Sequence, residues 1–157
     1  MEGNITKGEL IVGGNGRGSS LNQFNGPLFI SADEQYTVYV SDHFNHRAMK
    51  WNRDATTGIV IIRSQGKGEA LTQLSHPEGL YVDSSGTLYV EESRNNRVTR
   101  WSKGATHGTV IIGENARLNW SASLCFDRQG NIYISEGSLE WPHRIHRLSI
   151  QENATSQ

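Results

Sequence analysis

The chain has 157 residues with 15 Lys+Arg, 16 Asp+Glu, a formal charge of −1 and one cysteine. That balance excludes an electrostatic nucleic-acid binder or a polybasic membrane module, and a single cysteine excludes an internal disulfide framework or a cysteine zinc site. Apolar side chains at 35%, with 17 glycines, fit a folded globular chain rather than a disordered one.

Residues 1–7 read as a polar tail, and the opening Met1-Glu-Gly-Asn predicts no signal peptide. No window approaches the apolar length of a membrane span, about 18 residues. Gly8 opens an aliphatic run, Leu10-Ile-Val. Gly58 and Gly108 open matching runs, Ile59-Val-Ile-Ile and Val110-Ile-Ile, at a spacing of 50 residues. The same offset joins Pro27 to Pro77, Asp33 to Asp83, Tyr39 to Tyr89, Asn45 to Asn95, Arg47 to Arg97 and Trp51 to Trp101. So many matches at one offset define a repeat. In the third copy the offset falls to 44, where Asp127 matches Asp83 and Tyr133 matches Tyr89; three added residues then precede Arg144, which matches Arg97. The units are 8–57, 58–107 and 108–150, with a tail at 151–157.

The second unit shows the plan. Gly79-Leu-Tyr-Val-Asp reads as a strand, Ser84-Ser-Gly as a tight turn with Gly86 at positive φ, and Thr87-Leu-Tyr-Val as a second strand. The polar stretch Ser93-Arg-Asn-Asn leads to a third strand, Arg97-Val-Thr-Arg-Trp, and the turn from Lys103 to Gly108 leads to a fourth, Thr109-Val-Ile-Ile. Nothing between them has helical periodicity. Runs such as Ile59-Val-Ile-Ile are apolar on both faces, so both faces of each sheet are expected to be covered. The expected fold is all-β: a β-propeller segment of about three four-stranded antiparallel blades. The third unit lacks a fourth strand, whereas Gly8-Glu-Leu-Ile-Val is a fourth strand without a unit, available to complete the last blade. A homodimer completing six blades, or a fragment of a longer propeller, follows as an expectation.

Pro77-x-Gly-Leu-x-Val-Asp, Gly86-x-Leu-Tyr-Val and Asn95-x-Arg-Val resemble the NHL repeat, as do Gly130-Asn-Ile-Tyr-Ile and Val38-Tyr-Val-Ser-Asp followed by Asn45-His-Arg. The resemblance spans residues 8–150. It implies a propeller of a kind that serves as a protein-binding, RNA-binding or sensor module, with lyases and lactonase-like hydrolases among related propellers.

In a meander, the second-to-third connections and the inter-blade loops share one end. That end collects the long polar loops, including Gly13 to Gly18, Asp42 to His46, Glu92 to Asn96 and Glu136 to His143, and is the expected ligand face. The candidate contact residues are His43, Phe44, His46, Arg94, Asn96, Trp141 and His143, with Trp141 foremost as an unrepeated aromatic in an insertion. The glycines from Gly13 to Gly18 fit no phosphate-loop spacing and read as a turning loop. His43-x-x-His46 and His143-x-x-His146 hint at metal, but residues three apart on a strand face opposite ways, so no metal and no cofactor are expected. Asp42, Glu92 and Glu136 with Arg47, Arg97 and Arg144 read as one structural ion pair per blade. Trp51 and Trp101 read as wedges rather than base-stacking platforms. Cys125 reads as a buried thiol. The sequons at Asn4, Asn119 and Asn153 say little of compartment.

The functional expectation is a non-catalytic module that binds a protein partner, with nucleic acid disfavoured. The alternatives are a lyase- or lactonase-type enzyme with an axial metal, for which only His76 and Glu78 qualify on the inner strands, or an RNA-binding domain.

Overall fold

The computed structural model describes residues 8–62, 67–113, 118, 121–138 and 141–149. Among them there are eleven strands and no α-helix. The first sheet holds β1 (Pro27–Ala32), β2 (Val38–Asp42), β3 (Arg47–Trp51) and β4 (Ile59–Ile62) in sequence order. The second holds β5 (Pro77–Val82), β6 (Leu88–Glu92), β7 (Arg97–Trp101) and β8 (Thr109–Ile112). The third holds β9 (Ser121–Phe126), β10 (Asn131–Ser138) and β11 (Trp141–Ser149). Every pairing is antiparallel, and the registers repeat: Ala32, Val82 and Phe126 face Val38, Leu88 and Ile132.

Inner strands β1, β5 and β9 lie side by side, so the sheets fan outward from them like blades. Between the first two sheets, Tyr39 and Ala48 pack on Leu80, Val82, Leu88, Val90 and Trp101, together with Ile62 and Leu74. Between the second and third, Tyr89 and Val98 pack on Leu124, Ile132 and Ile134 with Ile112 and Leu118. The same positions therefore build both interfaces. A third cluster, Val40, Met49 and Trp51 with Val12 and Phe24, lies on the first sheet's far face and has no neighbouring sheet.

The repeated aspartate has a local cause. Asp33 Oδ1 accepts the Gln35 and Thr37 amides, and the Tyr39 hydroxyl donates to Oδ2 at 3.1 Å. Asp83 and Asp127 close their turns likewise, with Tyr89 and Tyr133 behind them. Each carboxylate thus sets the first-to-second turn and anchors the tyrosine six residues on.

Two expectations are corrected. The fourth strands are only half covered: Ile59 is 48% and Val110 40% exposed, because each lies on the outer rim. As expected of a run available to complete a blade, residues 8–12 pair with no sheet among the described residues, and Leu10 and Ile11 stand exposed. Cys125 is exposed, not buried: it faces away from the second sheet, opposite Leu124. The tails, and the sequons at Asn4, Asn119 and Asn153, lie outside the described residues.

Candidate functional site

Each blade is locked at the loop end by an acid and an arginine that are direct cross-strand partners. Asp42 pairs with Arg47, Glu92 with Arg97 and Glu136 with Arg144, at 2.7, 2.9 and 2.8 Å. The Arg47 guanidinium also donates to the carbonyls of Ser19, Ser20 and Gln23, and the Asn45 amide bridges Asp42 Oδ2 and the Gly18 carbonyl. Arg97 and Asn95 repeat this on Glu69, Ala70, Gln73 and Gly68. The Asn-x-Arg motif is therefore a clamp that holds the inter-blade loop onto its own blade. In the first two blades these groups are buried and engaged by the fold, whereas the Arg144 side chain of the third is 45% exposed. Burial pushes the Glu92 carboxyl up, against the opposing pull of Arg97, Thr99 and Asn95.

Beside the clamp of the first blade, aromatic rings converge. After β2 the chain makes a 3₁₀ turn over His43–Asn45, and His46 takes a left-handed φ of 52°. Asn96 occupies the matching place at φ 46°, which explains an Asn or a His there: both tolerate this region better than most residues. The turn overturns the opposite-face argument, because His43 and His46 do not lie on a strand and both reach His76. Ring centroids are 4.9 Å apart for His43–His76 and 4.4 Å for His46–His76, and Phe44 meets His43 edge-on at 4.7 Å. The His76 amide donates to His46 Nδ1 at 3.2 Å, and His43 Nδ1 donates to the Pro77 carbonyl at 3.3 Å. When neutral, His46 thus carries its proton on Nε2, whereas His43 Nε2 is left as an acceptor. Glu78 Oε1 lies 3.9 Å from His43 Nδ1.

His76 has φ 51°, where the first repeat has Gly26 at φ 69°. An imidazole has been placed where the backbone suits glycine, an outlier of the kind that clusters at functional sites. Burial, then the neighbouring His46 and His43, lower the His76 pKa to about 4. Burial also lowers His46. His46 and His76 are therefore neutral at neutral pH, and with His43 they form an aromatic, hydrogen-bonding patch capped by Phe44 at 55% exposure. Among the described residues no three His, Cys, Asp or Glu side chains are arranged to hold a metal ion.

Of the other candidates, Arg94 and His143 are exposed and Asn96 is half-buried with a buried Oδ1 that accepts no hydrogen bond. Trp141 opens β11 opposite Ser138, so the expected loop from Glu136 to His143 is largely an extended hairpin: the added residues continue the pairing past a bulge after Glu136. The Trp141 side chain lies outside the described parts. Trp51 and Trp101 are 2% and 3% exposed, and Trp101 Nε1 is bonded to Thr99, so neither can stack a base. At the opposite end a cleft of about 600 Å³ opens between the first two sheets, with Asp33, Asp83, Lys50 and Lys103 in its walls. Its two aspartates are already engaged by their own turns. Sequence reasoning missed His76 as a member of the patch; the signal was a histidine at the repeat position of a glycine.

Residues 74–101 match the NHL repeat. No curated protein matches the sequence. Among solved structures, virginiamycin B lyase from Staphylococcus aureus superposes with a TM-score of 0.56 at 16% identity, covering 82% of this chain and 43% of the lyase. A gluconolactonase-type protein gives 0.60 at 18%, covering 82% and 46%. A luciferin-regenerating enzyme gives 0.60 at 12%, again covering 82% and 46%. The chain thus spans less than half the length of these structures, and at such identities the likeness is one of fold. The chain thus has an all-β fold of the propeller kind, and residues 74–101 within it match the NHL repeat.

Proposed function

We propose that this chain is a non-catalytic binding module that engages a protein partner through its loop end. The surface consists of His43, Phe44, His46 and His76, extended by Arg94, Asn96, His143 and the hairpin carrying Trp141. The observation that carries the reading is Phe44, half exposed on a bed of imidazoles. An aromatic anchor beside uncharged donors and acceptors suits a protein surface, where aromatic residues dominate contact energies. A His76 that protonates only near pH 4 is a weak base at neutral pH, which favours binding over acid–base chemistry.

Affinity capture with the wild-type chain, Phe44→Ala and Trp141→Ala, each checked for fold by circular dichroism, tests the reading. Specific partners should be lost with either substitution. Retention in both, with loss on altering the Lys103–Gly108 turn, would move the interface to the opposite end. A second reading rests on the convergence of His43, His46, His76 and Glu78 near the inner strands, which is where an enzyme of the lyase or lactonase kind would need them. Turnover of a simple lactone, abolished by His76→Ala in a folded protein, would establish that reading instead.

A further inference from the structure

The open faces at the two ends of the blade arc repeat the two halves of its internal contacts. Across each internal contact the leading blade contributes a tyrosine of its second strand and, on the same face, a residue of its third: Tyr39 with Ala48, then Tyr89 with Val98. Ala48 and Val98 are fully buried there. In the third sheet the same positions are Tyr133 and Ile145, and Ile145 is 71% exposed. The receiving blade contributes its inner strand: Leu80 is 5% and Leu124 7% exposed. The same position in the first sheet is Ile30, 74% exposed, flanked on its face by Leu28 and Ala32. Val12 and Phe24 already sit on that face where Ile62 and Leu74 sit in the internal interface. The donor half is thus intact at one end, the acceptor half at the other, and the acceptor end also holds the unpaired run of residues 8–12.

We infer that two copies of this chain join head to tail, twice, about a two-fold axis, closing a ring of six blades. Residues 8–12 of each copy lie as the fourth strand on the free edge of β11 in the other. The occupant is a second copy because the missing members of each interface, Tyr133 with Ile145 and Ile30 with its neighbours, are all present in the chain itself. Two uses of one heterologous contact close the assembly and remove both the bare edge and the apolar face. Six blades lie within the usual four to eight.

The register fixes which residues meet. Tyr81 of the second blade stacks on Phe126 of the third at 4.6 Å. The equivalents at the open ends are Cys125 and Ala32. Cys125 of one copy should therefore lie beside Ala32 of the other, whereas the two native cysteines belong to separate interfaces. Light scattering on the purified chain of 17.5 kDa should give about 35 kDa. Treatment of Ala32→Cys with a short bismaleimide should yield a covalent dimer that the unsubstituted chain and Ala32→Cys/Cys125→Ser do not form. Ile30→Lys should bring the mass down to that of one chain or abolish cooperative folding. A cooperatively folded 17.5 kDa species, an assembly larger than a dimer, or a dimer in which Ala32→Cys fails to cross-link would overturn the inference. The first of these outcomes would assign the open faces to blades of a longer chain or to another protein.

Discussion

His76 stands on a backbone suited to glycine and inside a cluster that keeps its ring neutral. The neutral ring contributes stability that is complete above the ordinary value of 6.5 and is lost as the pH falls from 6.5 through about 4. His76→Gly should therefore flatten stability between pH 7 and pH 5. It should also gain about 0.5–1 kcal/mol at pH 7, the relief of a left-handed side chain less the added freedom of glycine in the unfolded chain. Urea denaturation at the two pH values measures both effects. Glu92 is the other residue whose environment decides its energetics. Its side chain is fully buried, so Arg97→Ala leaves a desolvated carboxylate and three loop carbonyls without their donor. A loss of about 3–5 kcal/mol is expected. Adding Glu92→Gln should recover only part of it, because the carbonyls of Glu69, Ala70 and Gln73 stay unpaired. Full recovery in the double variant would show that the loop clamp carries no energy.

At the scale of single elements, the repeat glycines and aspartates are explained by what they touch. A Cβ on Gly108 would lie 2.7 Å from the Trp101 ring, and one on Gly58 2.5 Å from that of Trp51. The third strand's tryptophan lies flat on the turn before the fourth, and only a glycine admits it. Gly108→Ala should cost about 1–3 kcal/mol by overpacking a buried site, with the tryptophan emission shifting to longer wavelength as the ring is pushed outward. The turn aspartates act through pH. Burial raises the Asp33 carboxyl, but hydrogen bonds from Thr37, Tyr39 and Gln35 outweigh it, and the Asn131 side chain leads the lowering of Asp127. Both folded values lie below the ordinary 3.8. Their contribution is present above that pH and fades as the pH falls through the lowered values. Asp33→Asn/Asp127→Asn should lower the melting temperature at pH 7 and narrow the gap between pH 7 and pH 3. An unchanged gap would mean that other groups drive the acid transition.

On the scale of the whole molecule, each sheet contacts only its neighbours, so stability is a sum of blades and blade contacts. The middle sheet is covered on both faces and the outer two on one. Leu80→Ala, in the contact between the first two sheets, should cost about 2–5 kcal/mol and loosen the first sheet more than the third. Hydrogen exchange on β1–β4 against β9–β11 reads the difference, and equal loss of protection in both sheets would show a single cooperative unit instead.

The 50-residue spacing determined the meander of each blade, because each repeated side chain answers a local need: an aspartate for a turn, an asparagine and an arginine for a loop, a glycine for a ring. Those needs act within one unit and are legible from one unit. The corrections arose where a residue's surroundings come from another unit. Cys125 lies exposed because, among the described residues, no sheet packs on that face of the third. His43 and His46 meet because a 3₁₀ turn and a left-handed residue replace the strand that spacing alone suggested. His76 joins them from the next blade, across a gap of 30 residues in sequence from His46. Sequence periodicity reports which face a side chain takes; only the packing of one blade on the next decides what stands opposite it.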